Sequence, residues 1–198
     1  MNQLSGNDQD LWDRCAAGNA NAFGTLFDRH ADALFRFCLS ACGSWHDAEE
    51  LVSISYMEAW RKRGTIRLER DSLLPWLIGV AAKSNINRAR TAKRYRALIE
   101  KLPYDEETTA FEPHVAEMLD AQVLAGKLLD GAGLSAVERA VAVLCLMFDF
   151  TYSDAARALG TPVGTIRSRL NRARKKLRAV SEPRTEPSLK LSPETSRS

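Results

Sequence analysis

The sequence predicts an all-α protein: two small helical domains joined by a flexible acidic linker, the second ending in a helix-turn-helix. Three observations lead there. Apolar residues recur at three- and four-residue spacings through most of the 198 residues, and strand-like alternation is scarce. An acidic stretch bounded by prolines, Pro103 to Pro113, divides the chain. Near the C-terminal end a short helical pattern meets Gly160, and a strongly basic helix follows. The expected boundaries are 1–100 for the first domain, 101–114 for the linker and 115–180 for the second domain. Residues 181–198, with three prolines and few large apolar side chains, read as a disordered tail.

In chain order, Leu11 and Trp12 open a short packing helix. Asn19 to Ser40 places Phe23, Phe27, Leu34 and Cys38 on one face. Asp47 to Arg61 offers Leu51 or Val52, Tyr56, Ala59 and Trp60. Residues 64–72 interrupt the pattern, and with Arg63, Arg67 and Arg70 they form an exposed positive loop. Pro75 suits the first turn of the third long helix, Leu74 to Tyr95. Beyond the linker a helix starts near Glu112 or Val115 and runs to Leu129, where Gly131 and Gly133 break it. Leu134 to Phe150 is a buried helix with Val137, Val141, Leu144 and Phe148 on one stripe. Ser135 with Glu138 three residues later forms a capping box at its start.

The stretch from Thr151 to Arg178 is the most informative: TYSDAARALGTPVGTIRSRLNRARKKLR. Ala155, Ala156 and Leu159 make a short apolar face. Thr161 is placed to cap the next helix and Pro162 to occupy its first position. Val163, Ile166, Leu170, Ala173 and Leu177 recur at helical spacing and turn inward. Arg167, Asn171, Arg174 and Arg178 share another face, with Arg169, Arg172, Lys175 and Lys176 around it. A basic amphipathic helix alone suits a membrane surface or an acidic protein as well as nucleic acid. The short helix and tight turn before it favour duplex DNA, because a major groove needs its helix held at a fixed angle. Residues near the helix start reach base edges in such docking. Thr165, Arg167, Ser168 and Arg169 are therefore the candidate readers, with Asn171 and Arg172 next and Lys176 expected on phosphate.

The formal net charge of +3 hides a pattern. Arg61 to Glu100 holds eleven Lys or Arg against three Asp or Glu, whereas Leu102 to Asp120 holds six acids and no base. Two positive blocks flanking an acidic segment point to two DNA-facing surfaces. Lys83, Asn87, Arg90 and Arg94 share a face of the third helix, with Arg88 beside it, and such a face neutralises phosphates. Cys38, Cys42 and His46 stand four apart, but no CxxC pair exists and small buried apolar cysteines are the simpler reading. No metal, no cofactor and no enzymatic activity are expected, since acidic clusters such as Asp47, Glu49 and Glu50 on a helix are usually solvated faces. Without a signal-peptide pattern or a membrane-length apolar run, no membrane insertion and a cytoplasmic location are expected.

Over about residues 19 to 178 the chain resembles the extracytoplasmic-function group of the sigma-70 superfamily, the small bacterial RNA polymerase sigma factors. DAEELV followed by Tyr56 and EAW, then LPWLIGVAAKSNINRAR, is similar to region 2. LSAVERAVAVLCLMFDFTYSDAARALGTPVGTIRSRLNRARKKL is similar to region 4. The resemblance implies a factor that joins core RNA polymerase and gives it promoter specificity. Region 2 would dock on the polymerase clamp and capture the minus-ten element. Region 4 would read the minus-thirty-five element, and the acidic linker would thread near the active-site and RNA-exit channels. It implies a core-binding set of Asp47, Glu49, Glu50, Leu51, Tyr56 and Trp60. It implies a minus-ten set of Lys83, Asn87, Arg88, Arg90 and Arg94, with Arg67 from the loop that holds a flipped base. An anti-sigma protein is an expected partner. The chain departs from the family pattern at Ser53, Ile54, Ala82, Lys83 and Asn87. The alternative, a stand-alone helix-turn-helix regulator, would need a receiver of alternating strands and helices in residues 1–100, and that pattern is missing.

Overall fold

The computed structural model describes residues 6–68, 71–99 and 129–181. The linker, the tail and most of the helix expected to end at Leu129 lie outside them. The described residues form α1 (Asp8–Ala16), α2 (Ala20–Cys42), α3 (Trp45–Arg61), α4 (Leu74–Ile99), α5 (Ala136–Leu146), α6 (Tyr152–Leu159) and α7 (Val163–Ser181). Residues 129–131 add one helical turn, so Gly131 is still helical, and Gly133 at φ 59° follows.

Caps explain most of the boundaries. The side chains of Asn7, Asn19, Ser44 and Thr151 accept the N–H of Asp10, Ala22, Asp47 and Asp154 at the starts of α1, α2, α3 and α6. Ser44 thus starts α3 at Trp45, ahead of the expected Asp47. The Ser135–Glu138 capping box is present at α5 as expected. That helix ends at Leu146 rather than near Phe150, because Asp149 turns to φ 52° and the Phe150 N–H returns to the Leu144 carbonyl at 3.0 Å. Thr161 does not cap α7. Its hydroxyl is buried with no partner among the described residues. The Pro162 carbonyl instead accepts from Thr165 and Ile166 at 2.9 and 3.2 Å, so Pro162 stands just before the helix rather than in its first position.

The first lobe, α1 to α4, buries Leu11, Trp12, Leu26, Leu34, Phe37, Leu51, Leu77 and Ile78. The buried stripe of α2 centres on Leu26, His30 and Leu34, which leaves Phe23 and Phe27 on its flank rather than in the core. The second lobe, α5 to α7, buries Val141, Leu144, Ile166, Leu170 and Ala173. The two cores are continuous, with α6 packed on α4 and α5 packed on α2 and α4. Phe37 meets Phe148 edge to face at 5.6 Å. Gly79 of α4 lies so close to α6 that a β-carbon there would stand 3.2 Å from the Ala158 carbonyl oxygen. The buried Arg139 side chain crosses the boundary, pairs with Asp130, and donates from Nε to the Ser40 carbonyl at 2.7 Å. Together with Asn85, which donates to the Ala41 carbonyl at 3.0 Å, it satisfies acceptors that the end of α2 would otherwise leave open.

Candidate nucleic-acid interface

Helix α7 presents the face its spacing predicts except at its first residue, Val163, which is 41% exposed rather than turned inward. Ile166, Leu170 and Ala173 are fully buried. Arg167, Ser168, Asn171 and Arg172 are exposed, with Thr165, Arg169 and Lys176 half-buried beside them. The Arg167 guanidinium lies over the Tyr152 ring at 5.8 Å. Lys176 is committed inside its own lobe: Nζ donates to Glu138 Oε2 at 2.7 Å and to the Gly133 carbonyl at 3.1 Å. That bond, ahead of the contacts from Ser135, holds the Glu138 carboxyl below its ordinary range despite its burial. A phosphate contact from Lys176 would first have to break it.

On α4, Lys83, Asn87, Arg90 and Arg94 are exposed along one face. Arg88 turns away from them, hydrogen-bonding Asp47 at 2.6 Å and forming an ion pair with Glu50 at 3.0 Å. Burial pushes the guanidinium pKa down, but these acids outweigh it and raise it. Arg88 therefore bridges α3 and α4 instead of joining the basic face. Asp47 and Glu50 are correspondingly paired rather than presented as free acids. Between the lobes, Lys83, Asn87 and Arg90 face Thr161 and Arg169 across a cleft of about 260 Å³, floored by Ile86, Val137 and Leu159. No acidic side chain is among those lining residues. A neighbouring cleft of about 370 Å³ brings Arg67, Trp76 and Lys83 to Asp149, Asp154 and Arg157.

The surface of α3 differs from expectation in two residues. Leu51 is fully buried and Tyr56 only 5% exposed, so both lie beneath the face rather than on it. The Tyr56 hydroxyl donates to the Phe27 carbonyl at 3.4 Å, and its ring packs on Phe27 and Phe23. Burial raises that phenol's pKa. Trp60 stacks on Phe23 at 5.0 Å and carries Arg63 over its ring at 4.3 Å. Glu49 remains exposed and accepts from Trp45 Nε1 at 2.9 Å. Outward apolar groups here include Trp45 and Phe27, each 42% exposed, and Met57 at 72%. Neither Phe27 nor Met57 was a sequence candidate for docking, since spacing alone set Phe27 on the core face of α2.

The loop between α3 and α4 puts Ile66 and Leu68 against the core and Arg67 in solvent. Of the cysteines, Cys38 is buried and the Cys42 thiol donates to the Ser44 carbonyl at 3.2 Å; burial pushes both thiols up. Among the described residues no three His, Cys, Asp or Glu side chains converge as a metal-holding group. Among the same residues no helix is long and apolar enough to cross a membrane.

Comparison with known proteins matches residues 26–95 to Sigma-70 region 2 and residues 132–177 to Sigma-70 region 4. The ECF RNA polymerase sigma factor SigL of Mycobacterium tuberculosis is 31% identical over 166 residues, 82% of this chain and 90% of SigL. The RNA polymerase sigma factor NccH of Alcaligenes xylosoxydans xylosoxydans is 28% identical over 180 residues, 87% of this chain and 94% of NccH. Two longer curated relatives are spanned to 59% and 62% of their length. Among solved structures, the sigma factor RpoE from Bartonella quintana, in complex with the anti-sigma factor NepR, has a TM-score of 0.59 and 30% identity. The match covers 80% of this chain and 96% of that one.

Proposed function

This chain belongs to the extracytoplasmic-function group of the sigma-70 family, and on that premise we propose how its surfaces divide the work of promoter recognition. A member of this group directs core RNA polymerase to promoters and is not an enzyme. The stand-alone regulator has no support, because a region 2 match precedes the helix-turn-helix. The observation that carries the division is the pair of exposed basic faces, on α4 and on α7, each built on a separate lobe.

In this reading α7 enters the major groove of the minus-thirty-five element. Arg167, Ser168 and Arg169 contact base edges, and Asn171 and Arg172 continue along the groove. Lys83, Asn87, Arg90 and Arg94 of α4, with Arg67 of the loop, hold the minus-ten element. Arg88 supports that face through Asp47 and Glu50. The polymerase docks on the α2–α3 surface, where Phe27, Met57 and Trp60 supply apolar contact and Glu49 supplies charge. Since the Bartonella relative was solved with an anti-sigma factor, such a protein is the proposed regulator here as well. Work with polymerase on promoter DNA puts the protein in the cytoplasm.

Run-off transcription with purified core polymerase and a promoter library tests the reading. Initiation at a defined sequence class should require this chain. Replacing Arg167 or Arg169 with Ala should relax preference at single positions of the upstream element by about 1–3 kcal/mol. Duplex binding with no effect on core polymerase would sink the proposal.

A further inference from the structure

Helix α1 lies outside both matched regions, yet it is packed as deeply as any helix of the first lobe: Leu11 and Cys15 are 0% and Trp12 is 2% exposed. Its side chains also reach both sides of the loop that carries Arg67. Trp12 Nε1 donates to the Ile66 carbonyl at 3.2 Å. Asp8, itself buried, accepts the Leu73 N–H at 2.9 Å just before α4 begins. Two further bonds fix that carboxylate, from Arg29 at 2.6 Å and from His30 at 2.5 Å.

A tryptophan buried for its volume must still satisfy its N–H, so the Trp12 bond alone would not single out the loop. The second grip does, because an independent polar side chain of the same helix holds the loop's other side. Between the two grips, Ile66 and Leu68 turn inward and Arg67 points out. Arg67 is exposed between two neighbours that both pack against the core. Holding the Ile66 carbonyl and seating Ile66 and Leu68 on the core leaves Arg67 little freedom in where it leaves the surface.

We propose that α1 is a positioning element for promoter recognition, in which Trp12 and Asp8 aim Arg67 at the minus-ten strand. The inference rests on the assignment of the Arg67 loop to the minus-ten element. Neither Trp12 nor Asp8 touches DNA; each acts through the loop backbone.

The test uses the full chain with core polymerase. Trp12→Phe removes the N–H and the pyrrole half of the indole and keeps a buried benzene ring, at the cost of a small cavity. Asp8→Asn exchanges the charged acceptor of the Leu73 N–H for a weaker neutral amide and removes the charge by which Arg29 and His30 anchor it, so the grip on the loop loosens. Each is made alone and with Arg67→Ala, and thermal melting shows which variants remain folded. The readouts are the rate of promoter opening and the discrimination among bases across the minus-ten element. Core affinity and duplex binding to the minus-thirty-five element serve as references. Arg67→Ala should slow opening roughly tenfold, as expected for one lost charge-assisted bond. Trp12→Phe and Asp8→Asn should each slow it several-fold with the references unmoved. In the Arg67→Ala background they should add nothing, since residues acting through one contact are not additive. Three results would overturn the proposal: wild-type opening and discrimination in both α1 variants, an equal further loss in the Arg67→Ala background, or no effect of Arg67→Ala itself. If the unaltered chain initiates at no promoter, the sigma-factor assignment fails first and takes this inference with it.

Discussion

The contact between Gly79 and Ala158 gives the sharpest prediction. A β-carbon at Gly79 would stand 3.2 Å from the Ala158 carbonyl oxygen, 3.4 Å from its Cα and 3.5 Å from its Cβ. Alanine sets two effects against each other. It favours α4 by about 0.8–1 kcal/mol over glycine in a helix interior, and it requires α6 to give by a few tenths of an ångström. The atoms in the way include α6 backbone, so no side-chain rotation relieves the clash. Valine adds two methyl groups beyond the β-carbon, and overpacking of that kind costs about 1–3 kcal/mol. The first lobe can keep its fold by letting α6 go, so the strain should fall on the docking of the lobes. Gly79→Val should then shift the equilibrium toward separated lobes by about 5- to 150-fold, with a much smaller shift for Gly79→Ala. Paired spin labels on exposed positions of α3 and α7 read this directly, as growth of a long-distance population in the valine variant. An unchanged distance distribution in Gly79→Val, with unchanged melting, would refute the view that this close approach seats the lobes.

Further outcomes follow from single contacts. Arg139→Met strands the Ser40 carbonyl and should lower stability by about 1–3 kcal/mol in urea unfolding. Burial alone would raise the Asp8 carboxyl pKa, but the Leu73 N–H, Arg29 and His30 outweigh it and hold it below its ordinary 3.8. Its contribution is therefore complete above about pH 5 and is lost as pH falls through the lowered folded value. Urea midpoints between pH 6 and pH 3, both approximate limits, should fall more steeply for the wild type than for Asp8→Asn. Lys176→Met should lower the melting temperature by breaking the Glu138 bond. It should change the salt slope of duplex binding by less than the roughly one unit expected for a full phosphate contact. Ser135→Ala should cost about 1 kcal/mol through loss of the α5 cap, again read by urea unfolding.

Helix existence was legible wherever periodicity and a cap coincided, as at Ser135 with Glu138 or Gly160 after Leu159. The exposed basic faces of α4 and α7 were legible for the same reason: spacing alone decides which residues share a side of a helix. What the sequence hid was partnership across helices. Arg88 belongs by spacing near the basic face of α4, but its charge goes to Asp47 and Glu50 on α3. Lys176 is likewise taken by Glu138, thirty-eight positions away. Leu51 and Tyr56 lie on the inward stripe that the spacing of α3 predicts; only the family resemblance set them on a docking surface. The α1 grips on Ile66 and Leu73 had no local signal, because each joins residues more than fifty positions apart.

The cleft shared by α4 and α7 has a consequence for how this factor moves through a cell full of DNA. Elements named for positions about 25 base pairs apart lie about 85 Å apart along a duplex rising 3.4 Å per pair. Lys83 and Arg169, lining one cleft of about 260 Å³, cannot straddle that distance. If α4 and α7 take the two elements as proposed, the chain would hold at most one of them while Gly79 rests on Ala158. The charge of Lys83, Arg90 and Arg169, turned toward one cleft, would then be offered less freely to the roughly 10⁶–10⁹ nonspecific sites of a genome.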